Sequence, residues 1–270
     1  MTLDYRLPGP FTTFDPGQIA LLQGLPEDAV GLCQAVQKLV IQPFDATPLG
    51  VPDQRIDERN LRPVNAIVAA LAALDPRPLN IPRPKEKRVV GCCRHFVTLA
   101  TALLRQRGIP ARARAGFGTY FSPERSFDHW ILEYHDGERW IRIDAEHLGH
   151  GYVANPADLA PGEFLTGGEA WTLYRAGKVD PMTFGVVGTD HAWGPGEIRG
   201  NVIRDLAALN KWEALNWDEW GRITDSYEGK TDADYDDLID NIAAACARDE
   251  PAELQEVYAI DELTFPATFR

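Results

Sequence analysis

The stretch "RVVGCCRHFVTLATALLRQRGIPAR" (residues 88–112) decides how this chain is read. Its polar residues Arg94, Thr98, Thr101 and Arg105 are spaced 4, 3 and 4, and almost everything else is apolar. That spacing predicts a helix with one narrow polar stripe, buried on most sides and therefore central. Gly108 ends it, with Pro110 two residues beyond. Two cysteines, Cys92 and Cys93, sit where the helix begins. A helix start offers unpaired N–H groups and a partial positive charge. Both favour a thiolate, and the same N–H groups can stabilise an oxyanion beside the sulfur. Position alone does not make a nucleophile, because many cysteines are buried and inert.

A nucleophilic thiol needs a base, and the base needs a group to orient it. The segment "HWILEYHDGERWIRID" (129–144) holds Asp136-Gly137 between two strand-like runs, a strong short hairpin signal. With Asp136 and Gly137 as a two-residue turn, Tyr134 faces Arg139, Leu132 faces Ile141 and Trp130 faces Ile143. His129 then faces Asp144. One side of the hairpin carries Trp130, Leu132, Tyr134, Ile141 and Ile143, a set suited to a core. The other carries His129, Ile131, Glu133, Trp140, Arg142 and Asp144. An imidazole and a carboxylate directly opposite are within hydrogen-bonding reach, which would fix the tautomer and leave the other nitrogen as a base. A purely structural cross-strand pair is the plainer alternative.

Around this unit the pattern is helices, then strands, then helices. Residues 26–40 and 63–74 read as amphipathic helices, and "ARARAGFGTYF" adds a further strand. Beyond residue 150, "GEFLTGGEAWTLYRAG", "RGNVIRDLAALNKWEAL" and "YDDLIDNIAAACARD" read as helices. The expectation is an α+β fold in a single domain over 1–270, with a core at about 26–150 and a helical extension over 151–270. Cys33 and Cys246 fall on apolar faces and read as core residues.

Composition narrows the function. The chain has 270 residues, 44% of them hydrophobic, enough for a sizeable core. Its net charge of −13 argues against nucleic acid as a partner. No apolar run approaches the ~20 residues of a membrane helix, and the first residues lack the basic and apolar regions of a signal peptide. Four cysteines in a chain this long are not a disulfide framework. A reduced, cytoplasmic protein is expected. His95, Glu146, His147 and His150 could suggest a metal, but no C-x-x-C or H-E-x-x-H spacing occurs, so neither metal nor cofactor is expected.

Together these residues resemble the transglutaminase-like superfamily within the papain-like cysteine fold, over roughly residues 60–150. The likeness rests on Gly91-Cys92-Cys93, the helix ending "LLRQRGIPAR", the His129 strand and the "W-x-x-x-D" strand from Trp140 to Asp144. The segment from "GFGTYF" to "WIRIDAE" looks most like bacterial transglutaminase-like proteins of unassigned activity. The resemblance implies a central helix headed by cysteine and packed on an antiparallel sheet, with helical additions at both ends. It also implies acyl transfer or amide hydrolysis through a thioester. Cys93 takes the nucleophile's place, two residues after the glycine, His129 the base's and Asp144 the orienting residue's. A one-residue shift to Cys92 would turn the sulfur roughly 100° round the helix. The family often reads His-x-Trp, whereas here Trp130 follows His129 directly. A literal His-Ala-Trp at His191–Trp193 has no following strand, so it is set aside as a base, though Trp193 and Arg199 could line the cleft. Trp130, Trp193 and Arg199 are thus candidates for contact with a small-molecule or peptide acyl substrate. An arylamine N-acetyltransferase-like thioester acyltransferase and a non-catalytic binding module with the same fold are the other readings. The loop "FSPERSFD" (121–128) is expected to rim the cleft with Trp193. The sequence leaves the oligomeric state open.

Overall fold

The structure, a computed structural model, describes residues 3–266. They form two compact units. The N-terminal unit comprises residues 4–113 and 131–158; the C-terminal unit comprises 114–130 and the chain from 159 onward. The division does not fall near residue 150, where the sequence pattern changes. It passes through two β-strands, each of which gives one end to either unit.

In the N-terminal unit, α1 (Ala29–Val36) starts at Asp28, whose Oδ1 accepts from the Gly31 N–H at 2.8 Å. The helix is shorter than the apolar pattern over 26–40 suggests. Val40–Ile41 leaves it to become β1, which pairs in parallel with β2 (Val89–Val90). A single turn, α2 (Pro43–Ala46), follows, and α3 (Val64–Leu74) agrees with the 63–74 periodicity. Helix α4 (Cys93–Gln106) packs against α1 and α3, and every residue from Cys93 to Arg105 is buried. Its polar stripe is covered as well. Buried guanidinium groups must find acceptors. Arg105 Nε donates to the Ala111 carbonyl at 2.9 Å and Nη1 to Thr12 Oγ1 at 2.8 Å, while Arg94 lies over the Phe11 ring.

Strands β3 (Ala111–Gly118), β4 (Ser126–His135) and β5 (Trp140–Ile143) follow. Strands β4 and β5 are antiparallel, pairing Leu132 with Ile143, Glu133 with Arg142, Tyr134 with Ile141 and His135 with Trp140. This corrects the two-residue turn: the loop runs over four residues, 136–139. Asp136 accounts for it, because its Oδ1 accepts from both the Glu138 and the Arg139 N–H, and Gly137 takes φ +111°. The register slides by two positions. Because side chains alternate with period two, a slide of two changes every pair yet keeps every face. Leu132, Tyr134, Ile141 and Ile143 still share one side. On the other, Glu133 accepts from Arg112 Nε at 2.7 Å and Arg142 Nε at 3.0 Å, with Arg112 stacked over Trp140. The ladder does not pair His129 with Asp144; Asp144 lies just past the end of β5.

In the C-terminal unit the end of β3 pairs with β6 (Phe164–Thr166), Phe117 opposite Leu165. The start of β4 pairs in parallel with β7 (Phe184–Gly185). The sheet order is β5-β4-β3-β6, with β7 beside β4. An α+β fold is thereby established. Helix α5 (Gly167–Arg175) begins later than the sequence suggests, because Thr166 and Glu169 form its capping box. Helix α6 (Pro195–Leu209) is nearly all buried and packs against α5, α7 (Ile223–Tyr227), α8 (Ala233–Arg248) and α9 (Pro251–Tyr258). It ties itself to β3 through a two-pronged pair: Arg114 Nε and Nη2 donate to Asp205 at 2.9 and 2.8 Å. Among the described residues no helix is long and apolar enough to cross a membrane.

Helix α6 also buries Glu197. Tyr227 donates to it at 2.5 Å, Asn201 Nδ2 at 2.9 Å, and Arg204 lies 3.5 Å away. Burial pushes the Glu197 carboxyl up to about 7, against the opposing Arg204 charge. The folded state thus keeps a proton that the unfolded chain releases near the ordinary glutamate value. Stability from this group is complete below that value and lost as pH rises to about 7. At roughly 1.4 kcal/mol per pH unit, the loss is on the order of 3 kcal/mol. Urea midpoints at pH 5 and pH 8 should therefore differ more in the parent than in Glu197→Gln. Equal differences would place the pH dependence elsewhere.

Candidate active site

The head of α4 is built by its own first residues. Cys92 is the N-cap, half-buried, with extended backbone. Its N–H donates to His95 Nδ1 at 3.1 Å, and its sulfur lies 3.5 Å from the same nitrogen. His95 in turn donates its backbone N–H to the Cys92 carbonyl at 2.8 Å. The His95 ring is completely buried. Burial, then the neighbouring Arg94 charge, pushes it down to about 3, so near neutral pH it is uncharged. Since Nδ1 accepts from the Cys92 N–H, the neutral ring carries its proton on Nε2. Gly91 is required by the same ring: a Cβ there would sit 2.5 Å from His95 Cγ. His95 is therefore a cap and cannot act as a base through Nδ1. The two cysteines differ accordingly. Cys92 holds the cap, and Cys93 occupies the first helical position with 6% of its surface exposed.

Asp144 belongs to the same unit and is fully buried. Its Oδ1 accepts from the Glu146 and His147 N–H groups, both at 3.0 Å, and its Oδ2 is 3.0 Å from His147 Nδ1. The carboxylate therefore caps the turn that follows β5 and orients the His147 ring. His147 Nε2 lies 3.9 Å from Glu146 Oε1, which accepts from Gln42 Nε2 at 2.6 Å. A Glu146 carboxylate oxygen lies within 4.8 Å of the Cys93 sulfur. Gln37 Nε2 holds this turn through the Glu146 and Leu148 carbonyls. Asp144, Glu146 and His147 are side chains of the types that hold metal ions. The sequence reading set Glu146 and His147 aside with the metal motifs. The signal it passed over is Asp-x-x-His, whose short turn returns the imidazole to the carboxylate.

His129 belongs to the C-terminal unit. It lies on β4, 3% exposed, with Phe121 edge-on at 5.2 Å and Tyr120 at 6.4 Å. The preceding Asp128 is anchored by Asn201 Nδ2 at 3.0 Å and by Asn216 Nδ2. Burial pushes the Asp128 carboxyl up, opposed first by the Asn216 hydrogen bond.

The three candidates for substrate contact part company. Trp130 is fully buried and has no surface to offer a substrate. Arg199 is bound to Asp236 at 2.7 Å and lies over Trp171, so it fastens α6 to α8. Trp193 is half-buried and lines an open groove with Arg125 and Phe127 from the segment leading into His129. His191 is exposed on the neighbouring loop.

Residues 78–145 match the model of the transglutaminase-like superfamily core. The matched segment contains Cys93, His129 and Asp144. A solved structure of a proposed cysteine protease from Cytophaga hutchinsonii is similar at 21% identity over 54% of this chain, with a TM-score of 0.20. The match spans 49% of that protein's chain. Comparison with curated proteins finds no match.

Proposed function

We propose that the protein is a cysteine enzyme that forms a thioester with an amide or thioester substrate, Cys93 being the nucleophile. The observation that carries this reading is Cys93 at the first position of α4, inside the superfamily segment. His129 takes the thiol proton, the sulfur adds to the carbonyl carbon, and the developing oxyanion accepts from the Cys93 N–H. His129 then returns the proton to the leaving amine or thiol, and the acyl group stays on sulfur. Water as acceptor gives hydrolysis; an amine gives transfer. Asp144 orients the imidazole. Its burial and its two backbone donors support that role, because they leave the carboxylate little freedom to turn. The reaction uses no metal or cofactor. A small-molecule or peptide acyl substrate and a reducing, cytoplasmic setting complete the proposal.

A second assignment of the base has one observation in its favour. The His147 imidazole lies 3.0 Å from Asp144, and its far nitrogen looks toward Glu146, itself within 4.8 Å of Cys93. Intact-mass analysis after exposure to a panel of amides and thioesters tests the chemistry itself. A single acyl adduct is expected on the parent and on Cys92→Ala, and none on Cys93→Ala. An unmodified parent with every donor would remove the enzyme reading.

A further inference from the structure

The groove beside Trp193 has a volume of about 570 Å³ and lies wholly within the C-terminal unit. Phe127 meets the Trp193 ring edge-on at 6.2 Å, and Met182 and Val187 line the same groove with 59% and 65% of their surface exposed. Large apolar side chains gathered round one concave surface mark a place where something apolar binds. The volume suits one or two residues rather than a whole protein surface.

Arg125 supplies the polar half. Its guanidinium lies over the Trp193 ring at 4.9 Å. Among the described residues no carboxylate pairs with it and none of its N–H donors is used. The chain has 40 acidic residues against 27 basic ones, and although Asp190 lines the same groove it forms no ion pair with Arg125. Stacking on indole removes water from one face of the cation and leaves its fork of donors to a carboxylate.

The groove is also connected to His129. Phe127 and His129 stand two residues apart on one side of β4. Phe121 stacks on Phe127 at 6.4 Å and meets His129 edge-on at 5.2 Å. Aromatic contact therefore runs unbroken from Trp193 to His129, a span that an extended peptide covers in at most about five residues.

We propose that this groove is the specificity site for a peptide substrate. It holds an aromatic or large aliphatic side chain, and Arg125 pairs with a carboxylate on the adjoining residue. The link to turnover rests on His129 and Cys93 acting as described above; the binding itself does not. The test therefore uses full-length Cys93→Ala protein and calorimetry with three probes: N-acetyl-Phe-Glu-amide, N-acetyl-Phe-Gln-amide and N-acetyl-Ala-Glu-amide. Phe-Glu should bind about tenfold tighter than either of the others. Arg125→Gln should bring Phe-Glu down to the Phe-Gln level while leaving Phe-Gln unchanged. Val187→Glu, at an exposed position that cannot disturb the core, should weaken both Phe probes at least tenfold. Binding that persists while wild-type protein fails to process any peptide would uphold the groove and remove the catalytic reading. No binding by any probe, or no response to Arg125→Gln, would overturn the proposal. So would a concentration-dependent dimer abolished by Val187→Glu, which would assign the groove to a second copy of the chain.

Discussion

Cys93→Ser is expected to lower turnover by about a thousandfold or more, while Cys92→Ser stays within about threefold of the parent. The two residues are neighbours, but α4 gives them different work. Cys93 stands at the first helical position, in the turn whose N–H groups have no partner within the helix. A serine there is a far weaker nucleophile at neutral pH, since its hydroxyl ionises much less readily than a thiol. Cys92 is the cap. Its backbone N–H and its sulfur both meet His95 Nδ1. Serine is a better N-cap than cysteine, so Cys92→Ser should leave the helix intact or firm it by a few tenths of a kcal/mol. Iodoacetamide alkylation followed against pH separates the cases. The parent and Cys92→Ser should share one fast-reacting thiol and one pH step, both missing from Cys93→Ser. If the fast thiol vanishes with Cys92 instead, the helix-head alignment is off by one residue. If it survives both changes, the reactive group is not at this helix.

How much of this could be read in advance depends on the range of the interactions. Helix α4 was legible because its apolar pattern, its glycine stop and its proline all lie within one stretch. The hairpin faces were legible because alternation is local and survives a register slide of two. The register was not, because it depends on whether the Asp136 side chain accepts from Glu138 and Arg139, which composition does not reveal. Sequence reasoning named His95 only as a metal candidate. Its role needs a fully buried ring resting on Gly91. The apolar face already pointed to a core position for Trp130, and the fold places it there. Arg199 misled because its partner, Asp236, lies 37 residues away on another helix. The change of pattern near residue 150 does not coincide with the boundary between the two compact units, which runs through β3 and β4.

His129→Ala should cut kcat/KM by about 10³-fold or more, and His147→Ala by no more than about tenfold. The difference follows from what each ring can do. His129 lies against the adjoining Tyr120 and Phe121 rings, on a strand whose preceding residue, Asp128, is held by two asparagine side chains. Two aromatic contacts and an anchored neighbour fix its position, which suits a group that must take a proton from a thiol and hand it on. His147 already has Asp144 on one nitrogen and Glu146 near the other. With its far nitrogen turned to Glu146, it is expected to steady Asp144 rather than to accept the thiol proton. Removing it leaves Asp144 with its two backbone donors, so the carboxylate should keep its place. The pH profile provides a check that simple misfolding would not mimic. The base must be neutral to act, so activity falls on the acid side as the imidazole takes up a proton. His147→Ala should retain that acid limb. His129→Ala should lose it, and added imidazole should restore part of the lost rate by entering the space left against Phe121. Urea midpoints for both variants should show that each remains folded at the assay temperature. Should His147→Ala prove the more damaging and carry the acid limb away with it, the base is His147 and not His129.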